Sequence, residues 1–352
     1  MSSKPDFHEE PFDDGTILKL EILESCLTGW LPVFLNHPYI SYIYIYDFYC
    51  GPGQDIKNIP GSPVRIYNAL NKYGSLLSKK KIHVCLNDAD PLKVNACNLI
   101  KKPENITCHF TNKSADECFK ALMPRSFPNN SAHFFYIDPC GIVDYQMVLS
   151  TVNAIKAADT LLFIPASFIN RFYEQDGFAA RLPNFPRGIK PKEITKIFCR
   201  YCKEEFGFNE TYFAPFSIKK TKSHQVHGLV FMTRHPLGLE KFLSATWNNS
   251  VNGESNFTLT GDMPENDQHF LDETFSMTSK IPVFQRTLKE KILAKEITTN
   301  RGVYIFTVTH GHIIKHASSV ISELLKEKKI RKKVSISNKY ALSNNIETIE
   351  LV

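Results

Sequence analysis

Apolar and polar positions follow two periods along the chain. Between Thr16 and Leu35 the apolar residues recur at helical spacing, which predicts one amphipathic helix. Short apolar runs then predict strands at 42–48, 82–87, 106–110, 132–138 and 159–164. Helical patterns separate them at 63–75, 91–101, 114–123 and 144–157. Strand and helix in alternation predict an α/β fold, with a doubly wound, mostly parallel sheet of the Rossmann type.

The second half of the chain is less regular. A strand is predicted at 227–233, a helix at 236–247, and further helices at 282–295 and 311–329. The segment 332–341 predicts a basic hairpin, so the helices and hairpin together outline a small winged-helix-like module. The predicted organisation is a flexible lead-in at 1–14, an α/β domain at 15–250, an acidic linker or insertion at 251–280, and the basic module at 281–352.

Composition narrows the class of protein. Hydrophobic residues make up 43% and charged residues 22%, which is typical of a globular protein. The cysteines number nine and are scattered, which favours reduced thiols in a cytoplasmic protein over a disulfide framework. Cys199 and Cys202 form a CxxC pair with no second pair, so no metal site is predicted. No apolar run reaches the ~20 residues of a membrane helix, and a net charge of +6 permits a nucleic-acid partner without requiring one.

Polar residues gather where three predicted strands end. The first ends in Asp47 followed by Gly51-Pro52-Gly53, the second in Asp88, and the fourth in Asp138. Each acid alone is common at a strand exit. Because the carboxyl ends of parallel strands lie at one edge of a sheet, however, the three together predict a cofactor site.

The glycine pattern selects among cofactors. A dinucleotide site favours Gly-x-Gly-x-x-Gly, but Ile56 stands at the third position here, and no phosphate-binding GxxxxGK[ST] occurs. An acid shortly before a glycine turn instead favours S-adenosylmethionine. The candidate cofactor-binding residues are Asp47, Tyr49, Gly51, Pro52, Gly53, Asp88 and Asn112.

The loop after the glycine turn is longer than a minimal cofactor loop. Residues 54–61 intervene before the next helix, for which Ser62 is the predicted N-cap and Pro63 the first helical residue. This loop either shapes a substrate pocket or is an insertion.

The candidate acceptor-binding and catalytic residues are Asp138, Pro139, Cys140, Asn170 and Arg171. Cys140 is either a covalent nucleophile or a packed thiol. Asn170 and Arg171 either bind a phosphate or base edge, or cap a helix start. A basic run near the C-terminus either faces solvent or contacts a nucleic-acid backbone. It comprises Lys326, Lys328, Lys329, Arg331, Lys332 and Lys333.

Several of these motifs, in this order, resemble the three-Cys-motif partner proteins, a prokaryotic family encoded beside a radical-SAM-like protein. The resemblance rests on "TILKLEILESCLTGWLPVFL", "YIYDFYCGPG", "GSP", "LNDADP", "FFYIDPCG", "LLFIPASFINRF" and "HPLGLEKFLSATW" and covers most of the chain. It implies a class I methyltransferase-like fold and a radical-SAM-like three-Cys-motif partner protein.

A looser similarity concerns the tRNA guanine-N2 and guanine-N1 methyltransferases, on "DFYCGPG", "NDADP" and "DPCG". It implies that Asp138 accepts hydrogen bonds from a target base while the methyl group moves by in-line displacement. The expected function is therefore S-adenosylmethionine-dependent methylation of an RNA or DNA base. The alternative is a non-catalytic partner subunit, or a defence-system component, that keeps the fold and binds nucleic acid or another protein.

Overall fold

A computed structural model describes residues 10–123, 126–139, 141, 143–172, 181–219, 226–249, 280–344 and 346–352. They belong to two compact units, Met1–Arg234 and His235–Val352. Most of the predicted lead-in, nearly all of the predicted linker, and Cys140 lie outside the described residues.

The first unit contains a seven-stranded sheet. Its strands are β1 (Tyr42–Asp47), β2 (Lys81–Asn87), β3 (Ile106–Thr111), β4 (Ser131–Ile137), β5 (Ala158–Ile164), β6 (Tyr212–Lys219) and β7 (Val226–Thr233). Its described helices are α1 (Asp14–Leu35), α2 (Ser62–Asn71), α3 (Pro91–Asn98), α4 (Ala115–Leu122), α5 (Tyr145–Ala154), α6 (Ala166–Phe172) and α7 (Pro191–Glu205), with a 3-10 turn at Gly74–Lys79. All six predicted strands are confirmed.

The strand order is β3-β2-β1-β4-β5-β7-β6. Strands β1 to β5 run parallel, and β7 pairs antiparallel with both β5 and β6. Every residue of the central strand β4 is buried, whereas residues of the edge strand β3 alternate between half-buried and exposed. This order confirms the predicted doubly wound, mostly parallel sheet.

The CxxC pair belongs to the core of this unit. Cys199 and Cys202 lie on α7, both buried in an apolar cluster that includes Phe198 and Tyr145. Burial raises the pKa of both thiols above the usual range. The pair therefore acts as apolar packing.

The second unit is helical. Its described helices are α8 (Pro236–Asn249), α9 (Lys280–Leu293), α10 (Asn300–Thr309), α11 (Ile314–Lys326) and α12 (Asn338–Ala341). Helix α8, placed in the α/β domain by the sequence analysis, belongs to this unit. Its Glu240 accepts hydrogen bonds from the Tyr304 hydroxyl at 2.7 Å and the Asn338 amide at 3.0 Å.

The predicted hairpin at 332–341 is wrong. Val334 and Ile336 are both buried, as on one face of a strand. The backbone of Ser335 between them, however, forms hydrogen bonds with side chains and not with a second strand. Its N–H donates to the Glu347 carboxylate at 3.1 Å, and its carbonyl accepts from the Asn300 amide at 3.0 Å. The segment then enters α12, and the antiparallel bridges of this region instead join Thr299 to Thr348 and Ile330 to Leu351.

Among the described helices, none has the length and apolar character needed to cross a membrane.

Candidate cofactor and acceptor site

Three strand ends meet at the centre of the sheet. Strand β1 lies between β2 and β4, and Asp47 at its end pairs in register with Leu86 and Tyr136. Asp88 and Asp138 follow two residues beyond these partners, so the three predicted acids lie at one edge. The charges of Asp138 and Asp88 both act on Asp47.

Asp47 is completely buried. Its Oδ1 accepts the backbone N–H of Tyr49 at 3.1 Å, whereas Oδ2 has no hydrogen-bond partner among the described residues. Burial, and then the neighbouring carboxylates, raise the pKa of Asp47 to about 7, although the Ser62 hydroxyl and the Tyr49 N–H oppose the rise. The buried Oδ2 is thus an acceptor in need of a donor.

Asp88 fixes the glycine turn. Its Oδ2 accepts the N–H of Gly51 at 3.0 Å, and its Oδ1 accepts the N–H of Asp90 at 2.9 Å. The Asn112 amide donates to the Asp88 carbonyl at 2.9 Å. Because each carboxylate oxygen has two lone pairs, each retains one toward a ligand, and the plane of the carboxylate is already set.

Asn87, which the sequence analysis did not single out, organises the same edge. It is fully buried, and its amide group donates to the carbonyls of Phe48 at 3.2 Å and Lys113 at 2.9 Å. Its oxygen accepts from the Thr111 hydroxyl at 2.8 Å. It therefore ties together the chain segments that follow β1 and β3.

Gly53 has a packing role. Its φ is +93°, and a Cβ built there would lie 2.1 Å from Cδ1 of Ile100. The N–H of Gly61 also donates to the Gly53 carbonyl at 2.8 Å, which closes the loop 54–61. The positive φ favours glycine at this position, and Ile100 packs where a Cβ would stand, whether or not a ligand approaches.

The loop 54–61 is ordered around Asp55, whose side chain is buried. The carboxylate accepts backbone N–H groups from Phe12, Lys57 and Ile59, each at 2.8 Å. The next helix begins at Ser62, with Gly61 as the N-cap, so the predicted Ser62 N-cap is wrong by one residue. The Ser62 side chain faces Asp47 instead.

Asp138 has two donors on one oxygen. Its Oδ2 accepts from the Lys19 ammonium at 2.6 Å and from the Tyr136 hydroxyl at 3.0 Å. Lys19 comes from α1, is only 8% exposed, and lies 4.4 Å from the centre of the Phe163 ring.

The sequence analysis missed Lys19. The sequence feature that indicates it is helical spacing: Lys19 lies four residues before Leu23 and eight before Leu27, and therefore on the apolar face of α1. A lysine on a buried face needs a partner for its charge.

Tyr49 contacts this cluster through its backbone N–H, which donates to Asp47. For Pro52, Pro139, Asn170 and Arg171, no hydrogen bond or ion pair to the cluster is found within the described part of the chain. Tyr49 and Pro52 are half-buried in the segment after β1, whereas Pro139 is buried directly after Asp138. Asn170 and Arg171 are exposed near the end of α6, so they do not cap a helix start. Cys140 lies outside the described residues.

The basic run of the second unit is exposed at all six predicted positions. Helix α11 ends at Lys326, and Lys328 takes a left-handed conformation with φ of 56°. The chain then buries Ile330, which leaves basic side chains on both sides of it. Glu350 lies 3.9 Å from Arg331 and 3.8 Å from Lys332, so it offsets part of the charge.

Comparison with known proteins yields distant structural likenesses. No protein-family model and no curated protein matches this sequence. A Legionella pneumophila protein of family DUF519 is 12% identical, with a TM-score of 0.39, over 63% of this chain and 85% of that one. Trm1 of Pyrococcus horikoshii, solved with S-adenosyl-L-methionine, is 13% identical, with a TM-score of 0.40, over 68% of this chain and 62% of that one.

The chain thus spans less than two thirds of the Pyrococcus protein. Neither likeness is close enough to assign an activity. The resemblance to three-Cys-motif partner proteins stays a prediction.

Proposed function

We propose that the chain binds S-adenosylmethionine at the ends of β1 and β2 and transfers its methyl group to a base of RNA or DNA. The observation that carries the proposal is the buried Asp47 Oδ2, which lacks a donor in a cluster of three carboxylates. An ammonium group is the donor that such an acceptor binds best. The methionine end of the cofactor carries one.

The charge of the site favours the same cofactor. Asp47, Asp88 and Asp138 are three carboxylates, and the Lys19 ammonium contacts one of them, Asp138. A dinucleotide would bring a pyrophosphate with negative charges next to these acids, which costs free energy. S-adenosylmethionine brings a sulfonium and an ammonium.

Asp88 suits the ribose. Its two oxygens are held in one plane by the N–H groups of Gly51 and Asp90, and each has a lone pair left for a hydroxyl. A fixed carboxylate loses little entropy when it binds a diol. The same residue would therefore hold the cofactor and keep the Gly51 turn in place.

Asp138 is the candidate acceptor-side group. When bound, S-adenosylmethionine supplies an electrophilic methyl group, and the protein must bring a nucleophilic nitrogen into line with it. The Asp138 carboxylate would accept a hydrogen bond from an N–H of the target base and orient the nitrogen lone pair. In the second unit, the exposed basic residues around Ile330 would bind the phosphate backbone.

A second candidate is a non-catalytic subunit that keeps this fold. It is favoured by Gly53, whose positive φ and occupied Cβ position account for the glycine without any ligand. On this proposal the chain would act through its basic surface, or by binding a partner such as a radical-SAM-like three-Cys-motif protein.

Titration calorimetry with S-adenosylmethionine distinguishes the two. Asp88→Asn should weaken binding on the order of tenfold or more, because the amide carries no charge and offers one acceptor atom. Asp90→Asn is the matched control, since Asp90 caps α3 through the N–H of Leu92 and Asn caps equally well. Absence of binding heat in the wild type would leave the non-catalytic subunit as the function.

If the cofactor binds, total tRNA and duplex DNA should be incubated with a labelled methyl donor. We expect incorporation into one of them, lost in Asp138→Ala while cofactor binding persists. Undiminished incorporation by Asp138→Ala would place the acceptor site elsewhere.

A further inference from the structure

The ion pair between Lys19 and Asp138 is unusual for its position. Lys19 is nearly buried, and an ammonium in such a place needs a charged partner and well-placed hydrogen bonds. It reaches across from α1 to the one acid at the strand ends that the proposed function assigns to the acceptor. A second lysine of this unit, Lys72, is paired with Glu24 of α1, and its side chain is far more exposed than that of Lys19.

The two donors act on the same oxygen. Lys19 at 2.6 Å and the Tyr136 hydroxyl at 3.0 Å both bind Oδ2 of Asp138. Two donors on one oxygen fix the rotation of a carboxylate, since either alone would let the group turn about its Cβ–Cγ bond. The other oxygen, Oδ1, is then held in one direction.

The Phe163 ring limits the movement of Lys19 itself. The ammonium lies 4.4 Å from the ring centre, a distance at which the ring face attracts a cation. Phe163 belongs to β5, next to β4 in the sheet. Three neighbouring elements, α1, β4 and β5, therefore define the place of one carboxylate.

We infer that Lys19 is a positioning residue that, with Tyr136, directs Oδ1 of Asp138 toward the transferred methyl group and the acceptor nitrogen. The inference rests on the proposed function. Lys19 touches neither reactant. It acts through Asp138. Its loss should therefore reduce the preference for a ligand that carries a hydrogen-bond donor at the methyl position, and should affect overall cofactor affinity less.

The test uses two cofactor analogues and needs no acceptor. S-adenosylhomocysteine lacks the methyl group, whereas sinefungin carries an amine where the methyl group stands, and that amine can donate to Oδ1. We expect the wild type to bind sinefungin about tenfold more tightly than S-adenosylhomocysteine, the effect of one charge-assisted hydrogen bond. Calorimetry measures both dissociation constants.

The variants separate positioning from folding. In Lys19→Met the preference for sinefungin should fall to about twofold or less, with S-adenosylhomocysteine bound as in the wild type, because the side chain keeps its volume and loses its charge. Lys19→Arg should restore part of the preference, and Tyr136→Phe should reduce it. Lys72→Met, which removes a lysine paired with a different residue of α1, Glu24, should leave the preference unchanged.

The outcomes are distinct. If the wild type binds neither analogue, the proposed function fails and this inference fails with it. If both analogues bind and Lys19→Met keeps the wild-type preference, cofactor binding stands and the positioning role is wrong. If Lys19→Met weakened the binding of both analogues by the same factor, Lys19 would support the fold alone.

Discussion

At the scale of the residue, Asp47 carries a buried acceptor atom at the expense of stability. The carboxylate is completely buried, and one of its oxygens has no partner among the described residues. Such a group stabilises the folded chain less than an amide would. A site that awaits a cation benefits from this arrangement, because the ligand relieves what the fold leaves unsatisfied.

The raised pKa of Asp47 predicts a pH dependence of stability. Between about pH 4 and pH 7 the folded state holds a proton that the unfolded state has released, so the free energy of unfolding falls as pH rises through this window, by at most about 1.4 kcal/mol per pH unit. Asp47→Asn should remove this fall and make the protein without cofactor more stable than the wild type at pH 8. Urea denaturation at pH 5 and pH 8 measures the difference between the two proteins.

The matched control is Asp116→Asn, which changes an exposed acid on α4 and should leave the pH profile as it is. Equal pH profiles for the wild type and Asp47→Asn would contradict an elevated pKa at Asp47.

At the scale of the element, the turn after β1 depends on glycine for two separable reasons. Gly53 combines a positive φ with a Cβ position occupied by Ile100, whereas Gly74 has a φ of +43° and nothing within 4 Å of the Cβ position. We expect Gly74→Ala to cost about 1 kcal/mol of unfolding free energy and Gly53→Ala about 2–3 kcal/mol, from strain plus overpacking.

The double variant Gly53→Ala/Ile100→Ala should lose less stability than the sum of its two single variants, since shortening Ile100 relieves the clash but not the strained φ. Urea denaturation of the four variants checks this. Additive losses would mean that Ile100 does not press on position 53.

How far the sequence predicts these elements depends on which interactions decide them. The strands that end in Asp47, Asp88 and Asp138 follow from apolar runs, and their common edge follows from parallel pairing. Strand β6 was missed because Pro215 lies inside it; the proline is tolerated since β6 is the last strand of the sheet and has one free edge. Helix α10 was missed because its Val, Tyr, Ile, Phe and Thr residues favour strands, and burial overrides that preference.

The contacts between distant segments could not be predicted. Lys19 lies 119 residues before Asp138. The sequence around either residue contains no sign that the two side chains are in contact. The segment 332–341 has the alternation of apolar and polar residues that is typical of a strand. However, the backbone N–H and carbonyl of Ser335 form hydrogen bonds with the side chains of Glu347 and Asn300 and not with a neighbouring strand.

At the scale of the whole molecule, six basic residues of the second unit fall within the eight positions from Lys326 to Lys333. Reversing Lys328, Lys329, Lys332 and Lys333 to Glu should weaken retention on immobilised nucleic acid. It should also flatten the dependence of the logarithm of affinity on the logarithm of salt concentration, by about 0.9 for each lost contact with a duplex phosphate. Binding isotherms from about 50 to 200 mM salt measure the slope.

A control of equal charge reverses four exposed lysines of the first unit, Lys79, Lys101, Lys120 and Lys156. The two quadruple variants have the same net charge, so a difference between them reports where the charge acts. If the two quadruple variants gave equal salt-dependence slopes, the basic run would have no specific role in nucleic-acid binding and would serve solubility alone.

The strand order has a consequence for the order of events during synthesis. Strand β1 pairs with β4, whose residues follow about 90 positions later in the chain, and closing so large a loop is slow. Until β4 leaves the ribosome, the end of β1 has water on one side, and Asp47 is an ordinary ionised acid. The burial that raises the pKa of Asp47 is therefore complete only late, when the nascent sheet closes on both sides, and the proposed cofactor site forms at the same moment.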